Sequence, residues 1–203
     1  MSRPHLVLML ATASVVAATA VTPPADWGED IATFNINNTY FGTTKAAVTN
    51  GNSQYTVMPA PESPLDVVSY RILAVPDERL KIGAIRPGVI VEILKNVYFN
   101  KAGEVVAIEM VFTNLDVDKR RYLFEALDRK YEGVPDERRN FWKYKVSANI
   151  QLETTVAETA PQQVVGGKVM SASYRVSNLY MHKTRYRAAL DEARSSNPLY
   201  NLL

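Results

Sequence analysis

The stretch FWKYKVSANIQLET, residues 141–154, constrains the fold more than any other part of this chain. Trp142, Tyr144, Val146, Ala148, Ile150 and Leu152 alternate with Lys143, Lys145, Ser147, Asn149, Gln151 and Glu153. Successive side chains of a strand point to opposite faces, so one face meets a core and the other meets water. An antiparallel sheet solvated on one side satisfies such a strand.

Other segments supply partners for it. DVVSYRILAV, from Asp66 to Val75, alternates with Val68, Tyr70, Ile72 and Ala74 on one face. The runs Val89 to Phe99 and Glu104 to Thr113 flank Asn100-Lys101-Ala102-Gly103, which predicts a hairpin. In its second arm Val106, Ile108, Met110 and Phe112 share the inward face. TVAETAPQQVVGG reads as a polar connecting loop, after which KVMSASYRV returns with Met170, Ala172, Tyr174 and Val176 inward. A short strand is expected in ATFNI (Ala32 to Ile36). Pro59, Pro61 and Pro64 make the segment from Val57 a loop or an irregular edge.

Helical signals sit between these runs. FGTTKAAVTN predicts a brief helix capped by Thr43 or Thr44 and ended at Asn50-Gly51. A second helix is expected from Asp118 to Glu132, with Leu123, Leu127, Tyr131 and Phe124 as its buried stripe. Asp116 or Asp118 would cap it, Gly133 would stop it, and Pro135 would prevent its continuation. A last helix is expected from Ser177 or Asn178, carrying Leu179, His182, Tyr186, Leu190 and Ala193 on one side. Strands interspersed with such helices predict an α+β fold, an antiparallel sheet with helices packed on one face.

The chain begins with one arginine in MSRPH, the apolar run LVLMLATASVVAATA, and a small-x-small site at Ala18-Thr19-Ala20. That layout predicts a secretory signal peptide over residues 1–20. The expected domain is then 21–203, with a flexible lead at 21–30 and a tail at 196–203. No later segment is apolar enough to span a bilayer. There is no cysteine, so packing alone must hold an exported chain of this kind. A formal net charge of +2 argues against a nucleic-acid binder.

The inventory of reactive groups is small. With His5 in the leader, His182 is the one histidine of the expected domain, and a packed structural role suits it. Zinc needs several His or Cys ligands; no metal or cofactor is expected. Asp116-x-Asp118 resembles a hard-cation pair but stands where a helix cap belongs. Gly166-Gly167-Lys168 lacks the first glycine and the following Ser or Thr of a phosphate loop. Glu92, Glu109 or Glu153 could supply a carboxylate pair for glycoside cleavage, although no motif selects one. No catalytic residue is assigned.

Residues 126–146 mix Arg and Lys with aromatic residues, as a nucleic-acid platform would. Alternation separates them, however, with Trp142 and Tyr144 opposite Lys143 and Lys145. The exception is Arg138, Arg139 and Phe141 at the strand's entry, which are candidates for the rim of a partner-binding edge. Leu199, Tyr200, Leu202 and Leu203 form a second candidate, an apolar tail that either docks on its own core or presents an adhesive end.

Three segments carry a resemblance. YFGTTKAAV resembles the short helix that opens repeats of the β-lactamase-inhibitor-like fold, which is shared with lipoproteins of the outer-membrane assembly machinery. KYEGVPDE with FWKYKVSANIQLE resembles the helix end, turn and Trp-led strand of exported bacterial domains. SASYRVSNLY resembles their last strand running into a C-terminal helix. The resemblance implies a periplasmic or secreted domain, and it assigns no function by itself. The expected role is an exported binding module whose partner is a protein of the cell envelope. The alternatives are a carboxylate-dependent hydrolase of envelope glycans and a carrier of a small apolar ligand.

Overall fold

A computed structural model describes residues 27–74, 91–136, 140–161, 163–165, 168–170 and 172–196. A 3-10 turn at Glu29–Ile31 leads into a small hairpin of β1 (Asn35–Ile36) and β2 (Thr39–Tyr40), then α1 (Lys45–Gly51) and β3 (Thr56–Met58). β4 (Asp66–Ala74), β5 (Val91–Phe99) and β6 (Val105–Leu115) follow, and α2 (Val117–Lys130) leads to β7 (Glu132–Asp136). β8 (Phe141–Lys145) and β9 (Ile150–Ala160) precede the small pair β10 (Gln163–Val165) and β11 (Lys168–Met170). β12 (Ser173–His182) and α3 (Lys183–Ser195) complete the described chain.

Eight strands form one antiparallel sheet in the order β3-β4-β5-β6-β12-β9-β8-β7, and the fold is the expected single α+β domain. The β5–β6 hairpin turns where the sequence placed it, and Gly103 supplies the positive φ of 77° that the turn needs. β6 and β12 pair with each other and with a strand on either side, which places them at the centre. Val105, Val106, Ala107 and Ile108 are accordingly all buried, beyond the one-faced alternation expected of this arm.

Directly paired residues share a face, so the registers sort the sheet into two surfaces. One surface carries Tyr70, Val97, Ile108, Tyr180, Leu152 and Tyr144, and residues 27–55 and α2 cover it. Phe124 of α2 packs 4.4 Å from the Trp142 ring, and Asp128 accepts a hydrogen bond from Tyr144. The expectation of helices against one face thus holds for α1 and α2. α3 lies across the other surface, where Tyr186 meets Tyr98 edge-on at 6.5 Å. Both predicted caps are present: Thr44 accepts from the Ala47 N–H and Asp116 from the Lys119 N–H.

Four boundaries differ from the sequence expectation. Residues 141–154 are not one strand; they are β8, a turn at 146–149, and the start of β9. Glu132, expected as the end of the helix, and Gly133 to Asp136, expected as a stop and turn, form an edge strand that includes Pro135. TVAETA extends β9 rather than forming a loop. β12 continues through His182, so α3 begins at Lys183 and not near Ser177. The central position of β12 explains the last difference, because every residue from Ser177 to Met181 has a partner on both sides.

Candidate functional site

α3 packs on β6 and β12, and beside it the same surface is formed by the outward-facing residues of β7, β8 and β9. Glu132 and Val134 pair with Lys145 and Lys143, and these pair with Gln151 and Glu153. α3 is fixed against this surface at its first turn. The Lys183 N–H donates to Asn149 O at 2.9 Å, and its Nζ donates to Ala148 O at 2.8 Å. His182 caps the helix, its Nδ1 accepting from the Arg185 N–H at 3.2 Å. With Nδ1 an acceptor, Nε2 carries the proton and donates to Trp27 O at 3.0 Å.

Between α3 and the sheet lies a groove of about 370 Å³. Met181, Tyr186 and Leu190 supply its apolar part. Lys143, Lys183, Arg187 and Arg194 line it with Glu153 and Asp191. It continues over the sheet past Lys145 to Glu132 and Val134 on β7. Lys143 lies 3.4 Å from Glu153. Lys145, Arg187 and Arg194 form no ion pair with a described residue. Burial pushes the Tyr186 hydroxyl up, and the carboxylates of Glu109 and Glu153 push it further. Tyr186 is therefore a neutral donor beside the cations.

Behind Tyr186 a polar chain crosses four strands. Ser69 on β4 donates to Asn96 Oδ1 at 2.6 Å, and Asn96 Nδ2 donates to Glu109 Oε2 at 2.7 Å. The Tyr98 hydroxyl donates to the same oxygen at 2.7 Å, and Ser177 donates to Glu109 Oε1. Burial, with the Glu109 charge second, holds the Tyr98 hydroxyl protonated. Both oxygens of Glu109 are therefore engaged by neutral donors.

The structure brings Glu92, Glu109 and Glu153 to one face, with Leu179 between the last two. Each has polar partners: Glu92 pairs with Arg71 at 2.7 Å, and Glu153 also accepts from Gln151 at 2.8 Å. Asp116 binds the Lys119 N–H and its ammonium group, and Asp118 pairs with Arg121, so the D-x-D is a helix start. Among the described residues no group of three or more His, Asp or Glu could hold a metal ion. No described helix is long and apolar enough to cross a membrane.

Phe141 opens β8 on the groove's side of the sheet, half-buried, with Lys143 Nζ 5.4 Å from its ring centre. Arg138, Arg139, Leu199, Tyr200, Leu202 and Leu203 lie outside the described residues. Residues 27–30, read as the end of a flexible lead, are held in place. Trp27 is buried against His182, and Asp30 accepts from the Asn149 N–H and Nδ2. Arg187 and Arg194 lie off the apolar side expected of the last helix, and nothing in the sequence singles them out. Their approach to Lys143 depends on which face α3 covers, and helical periodicity carries no such information. No family model, curated protein or solved structure matches the chain.

Proposed function

We propose that the protein is an exported binding module and that the groove between α3 and β7–β9 receives an acidic segment of a partner protein of the cell envelope. The observation that carries this reading is the convergence of Lys143, Arg187 and Arg194 around the apolar residues Met181, Tyr186 and Leu190, with Lys145 on the groove's continuation towards β7. Apolar contact supplies attraction, and the cations select and steer an acidic ligand. Glu132, Glu153 and Asp191 interrupt the positive field. Together with the small net charge of the chain, they favour a polypeptide of mixed character over a uniform polyanion. The apolar run and small-residue site in residues 1–20 support export, with a bacterial periplasm as the favoured compartment.

The reading is tested with a fluorescent peptide in which Glu and Asp alternate with Leu or Val, its anisotropy measured against the chain from Val21 onward. Binding should weaken with added salt. Arg187→Glu and Lys143→Glu should each lower affinity about tenfold, roughly 1.4 kcal/mol, in proteins that keep the parent's circular-dichroism spectrum. Equal affinity in the charge-reversed proteins would overturn the assignment of the groove. A duplex oligonucleotide that bound more tightly than the peptide would overturn the ligand class.

A further inference from the structure

Lys95 has no exposed surface, although it stands at an inward position of β5 between Ile93 and Val97. Its Nζ donates to Thr39 Oγ1 at 2.6 Å, to Asn37 O at 2.8 Å and to Asn52 Oδ1 at 2.9 Å. All three acceptors belong to one unit, residues 27–55, which is laid over the sheet as a cover. None of them is charged.

Among the described residues no carboxylate pairs with this amine. On the cover, Lys45 takes Asp66 as its partner and Asp30 binds Asn149. Asp116, Asp118 and Glu125 of α2 face Lys119 and Arg121, and Asp128 accepts from Tyr144. On the sheet, Lys95 is flanked directly by Tyr70 on β4 and Met110 on β6. The Tyr70 hydroxyl is itself buried and has no hydrogen-bond partner among the described residues, so it makes no bond to the amine. Of the cover's other titratable groups, Glu29, Tyr40 and Tyr55 are not among the acceptors of this amine, and His182 of β12 holds Trp27 at the other end.

We propose that the cover formed by residues 27–55 is a proton-linked latch, whose release from the sheet is coupled to proton uptake by Lys95. Two opposing demands meet at its nitrogen. Three oxygen acceptors match the three N–H bonds of an ammonium group, whereas a buried charge without a counter-ion is strongly disfavoured. Burial pushes the closed-state amine down to about 7. Once the cover lifts, the amine meets water and regains an ordinary lysine value of about 10.4. The closed-state value lies below the open-state one, so the open state binds more protons throughout that interval. Closure therefore strengthens as pH rises from about 7 to about 10.4, and it does not change further below 7 through this group.

Asp30, a second polar anchor beside the Lys45–Asp66 pair and the backbone bonds between residues 42–45 and 103–105, is already ionised in this window. Burial raises its carboxyl, but hydrogen bonds from Asn149 and Ser147 outweigh that and hold it below the ordinary value. The latch acts on the sheet face opposite the groove, so it is independent of the ligand proposed above.

Hydrogen exchange of the whole chain, read by mass spectrometry between pH 7.5 and 9.5 and corrected for intrinsic exchange, tests the proposal. The opening ratio of amides in 27–55 should fall by up to about tenfold per pH unit. β6 and β12 amides should stay protected by a larger, separate margin. Lys95→Met, which keeps His182 and Asp30, should lose the slope. A slope that survives in Lys95→Met, or one seen only in global unfolding of β6 and β12, would overturn the latch. Should that variant fail to fold, the ¹⁵Nζ shift of Lys95 in the unaltered protein decides. A titration near neutrality supports the proposal, and one at or above pH 9.5 overturns it.

Discussion

Glu109 shows how a carboxylate that could serve a hydrolytic pair is also the hub of a hydrogen-bonded network. It was one of three acids suited to a hydrolytic pair, and the structure surrounds it with Asn96, Tyr98 and Ser177, all donating. A carboxylate accepts at both oxygens, whereas an amide must present an NH₂ group on one side. In Glu109→Gln the Ser177 hydroxyl can turn and accept from that NH₂ group, whereas Glu109→Leu removes the acceptor of all three donors and leaves half-buried groups unsatisfied. For Glu109→Leu we expect a loss of about 1–3 kcal/mol, read as a shift of the urea midpoint at constant slope. An unchanged midpoint would mean that the network contributes nothing to stability. Lys95 carries a similar lesson with a clearer warning. Its parity with Ile93 and Val97 puts a lysine on the inward face, and that conflict was visible in the sequence. What the sequence could not supply was the identity of its acceptors, which lie more than forty residues away in the chain.

At the scale of elements, strand and helix types were legible and some boundaries were not, for reasons that can be named. The alternation of residues 141–154 survives a reversal of direction because the turn at 146–149 spans an even number of positions. Tyr144 and Ile150 therefore keep the same parity on either side of it. The turn contains no Gly or Pro. It is closed by the Ser147 hydroxyl accepting from the Ile150 N–H and by Asp30 gripping Asn149, and the second of these is a tertiary contact. Gly133 misled in the opposite sense, as a stop signal that is in fact a strand residue chosen for close approach. It sits directly across from Tyr144, and a Cβ there would fall 2.3 Å from the ring. The ring cannot move aside: it is 1% exposed, and its hydroxyl is held by Asp128 at 2.9 Å. Gly133→Ala should cost about 1–3 kcal/mol through overpacking, measured as a lower melting midpoint. A variant as stable as the parent would show that β7 can slide on β8 at no cost.

For the whole molecule, the sheet's two ends determine whether it remains a single chain. The α+β class followed from the strand pattern, but the assignment of α3 to the second face did not, and neither did the groove that this assignment creates. That topology leaves β3 and β7 as the open edges of an eight-stranded sheet. Exposed edges recruit other strands unless something blunts them. β3 has only the three residues Thr56–Met58, and Pro59 and Pro61 follow it. β7 is longer and carries Val134 at 74% exposure, so its protection rests on Pro135. A proline keeps its place in a paired strand where its nitrogen faces away from the neighbour. On β7 that direction is the open edge, which therefore lacks one donor in the middle of its row. Pro135→Thr restores the donor, adds a β-branched residue next to Val134, and leaves the pairing with Trp142 in place. The variant should self-associate edge to edge as concentration rises, with sedimentation velocity showing dimers and larger species that the parent lacks at the same loading. Identical sedimentation of the two proteins would mean that Pro135 is not the guard, and that the charges of Glu132, Lys143 and Lys145 around Val134 suffice to keep other strands away.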